Sequence, residues 1–369
     1  MAGDGRPDAT FWRGRSVFLT GHTGFVGGWL ALWLAQMGAR VVGYSLDPPT
    51  DPSFFAAARI GTSVDWVRAD IRDADRIRQA MAAAKPEIAF HLAAQPLVRA
   101  AFVDPHETWT VNVAGTINGL EAARATPTLR ALVVVTSDKV YAAPGQRAPF
   151  CEDDPLGGQE PYALSKAGAE LAVAAYGASA IMHERSGLGL ATARAGNIIG
   201  GGDWGKDRLV PDAMRAFSNA TALVLRKPDA VRPWQFVLDA VSGLLMLGEA
   251  LYRDPAACAG AWNLGPADTA SVRVAELASR LARAWGEGAS WRAGDAPAIP
   301  ETDRLEIDSR KAAERLGWRT RWPIEAAIAE TVAWYRAFLD RQDMLALSLQ
   351  QIGGHIGHLD AEARIKSAR

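Results

Sequence analysis

The chain has 369 residues, a formal net charge of −1 and 49% hydrophobic residues, enough apolar material to bury a large core in two closely joined subdomains. The balanced charge argues against a nucleic-acid partner, and two cysteines, Cys151 and Cys258, imply no disulfide framework. Met1 to Arg15 carries scattered charge and no apolar leader core, so the expected location is cytoplasmic.

Val17-Phe18-Leu19 is a short, wholly apolar run that reads as a buried parallel strand. After it, Phe25, Trp29, Leu32, Trp33, Gln36 and Met37 recur at helical spacing. Gly21, Gly24 and Gly27 punctuate the joint between them. One glycine permits the tight turn, one lets the backbone approach a pyrophosphate, and one lets the helix pack on the sheet. Gly21, Thr23, Gly24, Phe25, Val26 and Gly27 are thus the expected dinucleotide cradle at a helix N-terminus. Ser16 to Ala39 lacks charge and has the length of a membrane span, but five glycines and His22-Thr23 interrupt it, so no membrane partner is expected. Asp47 follows the next strand, Arg40–Tyr44, where an acid meets a ribose 2′-hydroxyl. No Arg or Lys lies between Tyr44 and Phe55 to receive a 2′-phosphate. The expected cofactor is NAD.

Apolar runs recur at Val64–Val67, Ile88–Leu92 and Leu132–Val135, separated by helical stretches such as Ala74–Ala84 and Thr108–Ala123. This rhythm predicts an α/β fold, a Rossmann-like doubly wound parallel sheet. Asp70 and Ile71 end the third run and are placed at the adenine. The competing reading of Asp70 is a helix cap, a role that Asp73 can fill instead. Ala93 and Ala94, small residues past the fourth run, let the backbone lie against the cofactor. The fifth run leads into Thr136-Ser137-Asp138-Lys139, at a strand end where ligands gather in such sheets. Tyr162 and Lys166, four apart behind Pro161, share one helix face. A phenol needs help to become a base near neutral pH. Lys166 and the positive nicotinamide ring are the expected help.

In the second half, Gly200-Gly201-Gly202-Asp203-Trp204 forms a bendable segment able to wrap a nucleotide, with Asn197 and Arg208 near phosphates. Arg232 is the expected clamp on a diphosphate. Trp204 and Trp234 each sit within a few residues of an arginine, whereas Trp33, Trp262 and Trp334 read as core. His355 and His358 lack the further ligands of a zinc site, and no metal is expected. The tail beyond Gln342 reads as a helical or partly ordered extension.

The glycine loop, the Ser137 strand end and Tyr162-x-x-x-Lys166 together resemble the extended short-chain dehydrogenase/reductase family, which acts on nucleotide sugars, over nearly the whole chain. The longer strings Ala94–Arg99, Thr136–Lys139, Arg194–Trp204 and Arg232–Gln235 are similar to its 4,6-dehydratases of CDP-hexoses. The resemblance implies a smaller, interleaved C-terminal α/β subdomain for substrate. The cofactor domain would be residues 1–193 with a returning segment near 236–268, and the substrate subdomain 194–369. It implies Ser137, Asp138, Lys139, Tyr162 and Lys166 as catalytic residues, with Asp138 the acid for the C6 hydroxyl and Lys139 the base at C5. Lys139 departs from the Asp-Glu pair of many related dehydratases. Gln95, Arg99, Asn197, Trp204, Arg208, Arg232 and Trp234 would bind substrate. The implied assembly is a homodimer through the helices around Thr108–Ala123 and Tyr162–Tyr176, with a dimer of dimers left open. A 4-epimerase or reductase of the same family, and a non-catalytic NAD-binding protein, are the competing readings.

Overall fold

The repeating apolar runs become the strands β1 (Ser16–Thr20), β2 (Arg40–Ser45), β3 (Asp65–Arg68), β4 (Ile88–His91), β5 (Ala131–Val135) and β6 (Gly189–Ala195). A computed structural model describes residues 5–142, 146, 148–178, 187–266, 271–286, 288–295 and 302–367. Past β6 come β7 (Asn197–Ile199), β8 (Leu223–Leu225), β9 (Val231–Phe236), β10 (Gly260–Leu264), β11 (Ser271–Arg273) and β12 (Trp291–Ala293). The main sheet has seven strands in the order β10-β6-β5-β4-β1-β2-β3, all paired parallel. The order reverses direction between β1 and β4, the position at which open α/β sheets bind ligands outside the strand ends.

Alternation along the strands separates two cores. Val17, Leu19, Ile88, Phe90, Val133 and Ala191 face a large cluster that includes Trp29 and Trp33 of helix Phe25–Gln36 and most of helix Val237–Arg253. Phe18, Ala89, Leu132, Val134 and Leu190 face the other cluster, which includes Ile77, Leu120 and Val173 of helices Ala74–Ala84, Gly115–Arg124 and Pro161–Ala178. Period-two alternation on a sheet covered on both faces produces this division. The third strand begins one residue later than its apolar run suggests, at Asp65.

The second half is not a separate lobe. Its helix Val237–Arg253 lies against the first-half helix Phe25–Gln36 and against β5 and β6, and β10 pairs Gly260–Leu264 with Ala191–Ala195 of β6. Two small sheets, β11-β9-β7 and β12-β8, form beside the main one. Trp33, Trp262 and Trp334 are fully buried. The tail forms a helix, Met344–Ser367. His355 on it is fully buried, pairs its Nε2 with Asp239 Oδ1 at 3.0 Å, and packs edge-on to Trp33. Its role is to dock the tail.

Candidate active site

The glycine joint is built by exclusion of side chains. A Cβ on Gly27 would lie 2.1 Å from the Gly21 carbonyl oxygen, and one on Gly21, whose φ is +78°, would lie 2.7 Å from the Leu92 and Ala93 backbone. Only glycine lets the turn, the β4 strand end and the helix approach this closely. Gly24 begins helix Phe25–Gln36 with no side-chain cap, so the first backbone N–H groups of the helix remain available to an anion. These features fit the pyrophosphate of a dinucleotide. Thr23 donates to the Leu46 carbonyl at 3.0 Å and closes the loop onto β2.

Beyond this joint lies a cleft of about 960 Å³. Gly21, Thr23, Gly24, Phe25, Val26, Gly27, Asp47, Asp70, Ile71, Ala93, Ala94, Arg99, Ser137, Asp138, Lys139, Tyr162, Lys166, Asn197, Trp204, Arg208, Arg232 and Trp234 all line it. Gln95 does not. Its side chain donates to Thr108 Oγ1 at 2.8 Å and accepts from Leu97 N at 2.6 Å, so it braces its own loop.

Three expectations are altered in detail. Asp47 is ion-paired with Arg68 at the end of β3, so the absence of a cation held only along the chain; the neighbouring strand supplies one. Asp70 is held by the Arg72 guanidinium at 3.0 and 2.6 Å, which pulls its carboxyl below the usual range, and Asp73 caps the following helix by accepting from Arg76 N. Ile71 packs inward against Gly115 and its core neighbours. The diphosphate candidate Arg232 is buried, with its guanidinium donating to the carbonyls of Val231 and Thr302 at 2.9 and 2.7 Å.

Ser137 lies two residues past the end of β5, with its hydroxyl donating to Asp138 Oδ1 at 3.1 Å. Asp138 is buried, and its Oδ2 has no hydrogen-bond partner. Burial pushes its carboxyl up to about 6, against the opposing pull of Lys139, Ser137 and Arg232. Tyr162 is buried in the first turn of helix Pro161–Ala178, and burial pushes its phenol up to about 12. The groups that oppose this are the hydrogen-bonded Ser137 and the nearby charge of Arg208. Lys166 instead donates to the Val135 carbonyl at 3.1 Å, because the side chain extends toward the β5 end. Shared helix face alone did not bring its charge onto the phenol. Burial lowers the Lys166 ammonium to about 8, partly offset by Glu170.

Arg208, expected at phosphates, therefore also faces the phenol, tethered by Asp203 Oδ2 at 3.1 Å. Sequence reasoning missed Asn112. It is buried in a single π-helical turn, Thr110–Ala114, inside the helical stretch that runs from Pro105 to Arg124. Its Nδ2 donates to Ser165 Oγ at 2.9 Å, and its Oδ1 accepts from Gln95 N at 2.8 Å. The amide thus ties the substrate-side loop to the Tyr162 helix. Such π turns concentrate at functional sites, but the apolar periodicity of the helix hides them.

The family described as NAD dependent epimerase/dehydratase matches residues 17–265. The chain is 42% identical over 352 residues to a CDP-glucose 4,6-dehydratase of Salmonella typhimurium, covering 95% of this chain and 98% of that protein. It is 29% identical over 325 residues to a UDP-glucose 4-epimerase of Mycolicibacterium smegmatis, covering 87% and 98%. Among solved structures, the UDP-glucose-4-epimerase of Stenotrophomonas maltophila with bound NAD and formylated UDP-arabinopyranose superposes with a TM-score of 0.77 at 23% identity, covering 89% of this chain and 99% of that one.

Proposed function

Because the chain belongs to the NAD dependent epimerase/dehydratase family, we propose that it is a nucleotide-sugar 4,6-dehydratase that converts CDP-glucose to CDP-4-keto-6-deoxyglucose and water. The observation that carries this over a 4-epimerase is Asp138. An epimerase needs no acid for a departing hydroxyl, whereas here a buried carboxyl with one unpartnered oxygen lies beside Ser137 and lines the cleft. Its elevated affinity for a proton suits a general acid, and a substrate that seals the cleft raises it further.

The glycine joint and the helix N-terminus hold the dinucleotide, which, bound there, supplies the hydride acceptor for C4 and the donor to C6. Tyr162, its phenolate favoured by the Ser137 hydrogen bond, by Arg208 and by the positive ring that the bound dinucleotide would supply, takes the C4 hydroxyl proton, and Ser137 hydrogen-bonds the same oxygen. With C4 a ketone the C5 hydrogen is acidic, and Lys139 removes it while Asp138 protonates the C6 hydroxyl, which leaves as water. A proton then returns to C5. Atoms balance as substrate minus one water. The residues that bind substrate in this scheme are Arg99, Asn197, Trp204, Arg208, Arg232 and Trp234, with residues 194–369, apart from the returning segment near 236–268, forming the substrate side. The likeness to the CDP-glucose 4,6-dehydratase of Salmonella typhimurium supports the choice of nucleotide.

The functional unit in this proposal is a homodimer in the cytoplasm. Phe102, Val103, Trp109, Ile117, Leu164 and Leu171 are exposed large apolar residues of the helices between Val98 and Ala178, with Val103 86% and Leu171 60% exposed, a concentration that marks an interaction face. Leu171→Glu should shift the light-scattering mass toward one chain. No helix among the described residues is long and apolar enough to cross a membrane. Incubation with NAD and CDP-, UDP-, GDP- and dTDP-hexoses tests the reading: the expected product is a 4-ketosugar lighter by one water, formed fastest from CDP-glucose. A C4 epimer with no loss of water would overturn it.

A further inference from the structure

The helix that carries Tyr162 and Lys166 bears a buried carboxylate one turn further on, Glu170. Its Oε1 accepts from Thr136 Oγ1 at 2.5 Å, and its Oε2 accepts from Thr192 Oγ1 at 2.9 Å and from Arg194 Nη2 at 2.8 Å. Thr136 is the residue before Ser137, so one carboxylate joins the Ser137 strand end to the helix of Tyr162 and Lys166. Arg194 in turn donates to the Tyr141 hydroxyl at 2.9 Å and to the Glu152 carbonyl at 3.0 Å, and Tyr141 donates to Asn263 Oδ1 at 2.6 Å. The pair Glu170–Arg194 is thus anchored to β5, β6 and β10 at once. A buried ion pair is weak evidence for stability, because desolvation opposes its attraction, so its position beside the reacting groups calls for another reason.

Glu170 also stands four residues from Lys166 on the same helix face, close enough for its charge to act on that ammonium. Burial lowers the Lys166 ammonium and Glu170 raises it. Lys166 also meets the Val135 carbonyl from β5 and His91 from β4, which burial keeps neutral by lowering it to about 3, and Arg194 of β6 is the cation paired with Glu170. None of these brings a negative charge near neutral pH.

We propose that Glu170, fixed by Arg194 and Thr136, is a positioning residue for alcohol oxidation at this site: it sets the spacing between Ser137 and the Tyr162–Lys166 face and places a negative charge beside the Lys166 ammonium. This rests on the dehydratase reading above. Without that charge the ammonium is less favoured, its folded pKa falls, and the charged form is lost at lower pH as pH rises. Glu170→Gln should therefore lower kcat about tenfold, leave KM for CDP-glucose within about twofold, and move the alkaline limb of the C4-oxidation step, read as bound NADH in an Asp138→Asn background, down by about one pH unit. The Lys166 13Cε resonance, assigned by its loss in Lys166→Met, should titrate lower by a similar amount with no substrate present. Thr136→Val removes one tie and keeps the charge, so kcat should fall with the limb and the titration unmoved. An unmoved limb and unmoved titration in folded Glu170→Gln, or wild-type kcat in Thr136→Val, overturns the proposal. If the unaltered protein converts no nucleotide sugar, the dehydratase reading fails, and the Lys166 titration alone decides the role of Glu170.

Discussion

Two ion pairs flank the cleft, and they are opposites. Glu170–Arg194, behind the Ser137 strand end, has side chains only 3% and 4% exposed and every carboxylate oxygen hydrogen-bonded. Arg99–Asp207, on the substrate side, spans 3.3 Å with side chains 44% and 38% exposed, and Asp207 also receives Arg226 at 3.0 Å. The first is sheltered from salt and water; the second is screened and contributes little by itself. The difference teaches where the molecule is preformed. The oxidation side is set by buried groups and by backbone that no side chain could replace, whereas the substrate side includes an exposed pair, Arg99–Asp207, able to exchange partners when an anionic nucleotide arrives.

Removing Tyr162 tests the preformed side most severely. Tyr162→Phe should lower turnover about a thousandfold or more, with no NADH absorbance after substrate is added, because the C4 proton then has no acceptor. Asp138→Asn separates the half-reactions: enzyme-bound NADH and a 4-ketohexose should accumulate while dehydration falls on the order of a hundred- to ten-thousandfold. In that variant deuterium from heavy water should still enter C5, and Lys139→Met should oxidise C4 yet exchange little. Dehydration by Lys139→Met at the unaltered rate would remove Lys139 from the scheme. The pH profile follows in sign from Asp138, whose carboxyl is raised to about 6: the acid form is lost as pH rises through that value. The dehydration step in single turnover should weaken as pH rises past a midpoint above about 6, because bound substrate raises the carboxyl further, and that limb should vanish in Asp138→Asn.

The substrate side should respond more gently and mainly in KM. Raising salt or replacing Asp207 by Asn should change KM for the nucleotide sugar a few fold and leave kcat nearly unchanged, as steady-state kinetics at several ionic strengths would show. A kcat loss equal to that of Thr136→Val would erase the contrast between the two sides. The smallest effect is expected at the ribose end, where Asp47→Asn frees Arg68 and should narrow the preference for NAD over NADP by about twofold, read by calorimetry.

Legibility differed between these regions for a physical reason. Strand–loop–helix joints are local, so Gly21, Gly24 and Gly27, the parallel strands and the Pro161 start of the Tyr162 helix could all be read from adjacent residues. The partners of Asp47, Gln95 and Lys166 could not. Arg68 reaches Asp47 only because β3 lies beside β2, Gln95 turns away because Thr108 and Leu97 meet it, and Lys166 goes to Val135 rather than to the phenol.

By itself, then, the sequence determined the elements, the sheet type and the residue types gathered at the strand ends, since periodicity and glycine sterics act over a few residues. Only the tertiary structure decided which charges meet. Burial of Asp138 without a partner for Oδ2, the approach of Arg208 to Tyr162, the π turn that turns Asn112 toward Ser165, and the Glu170–Arg194 anchor each join segments far apart in the chain. Their electrostatics depend on desolvation and on distances that exist only after the sheet has closed.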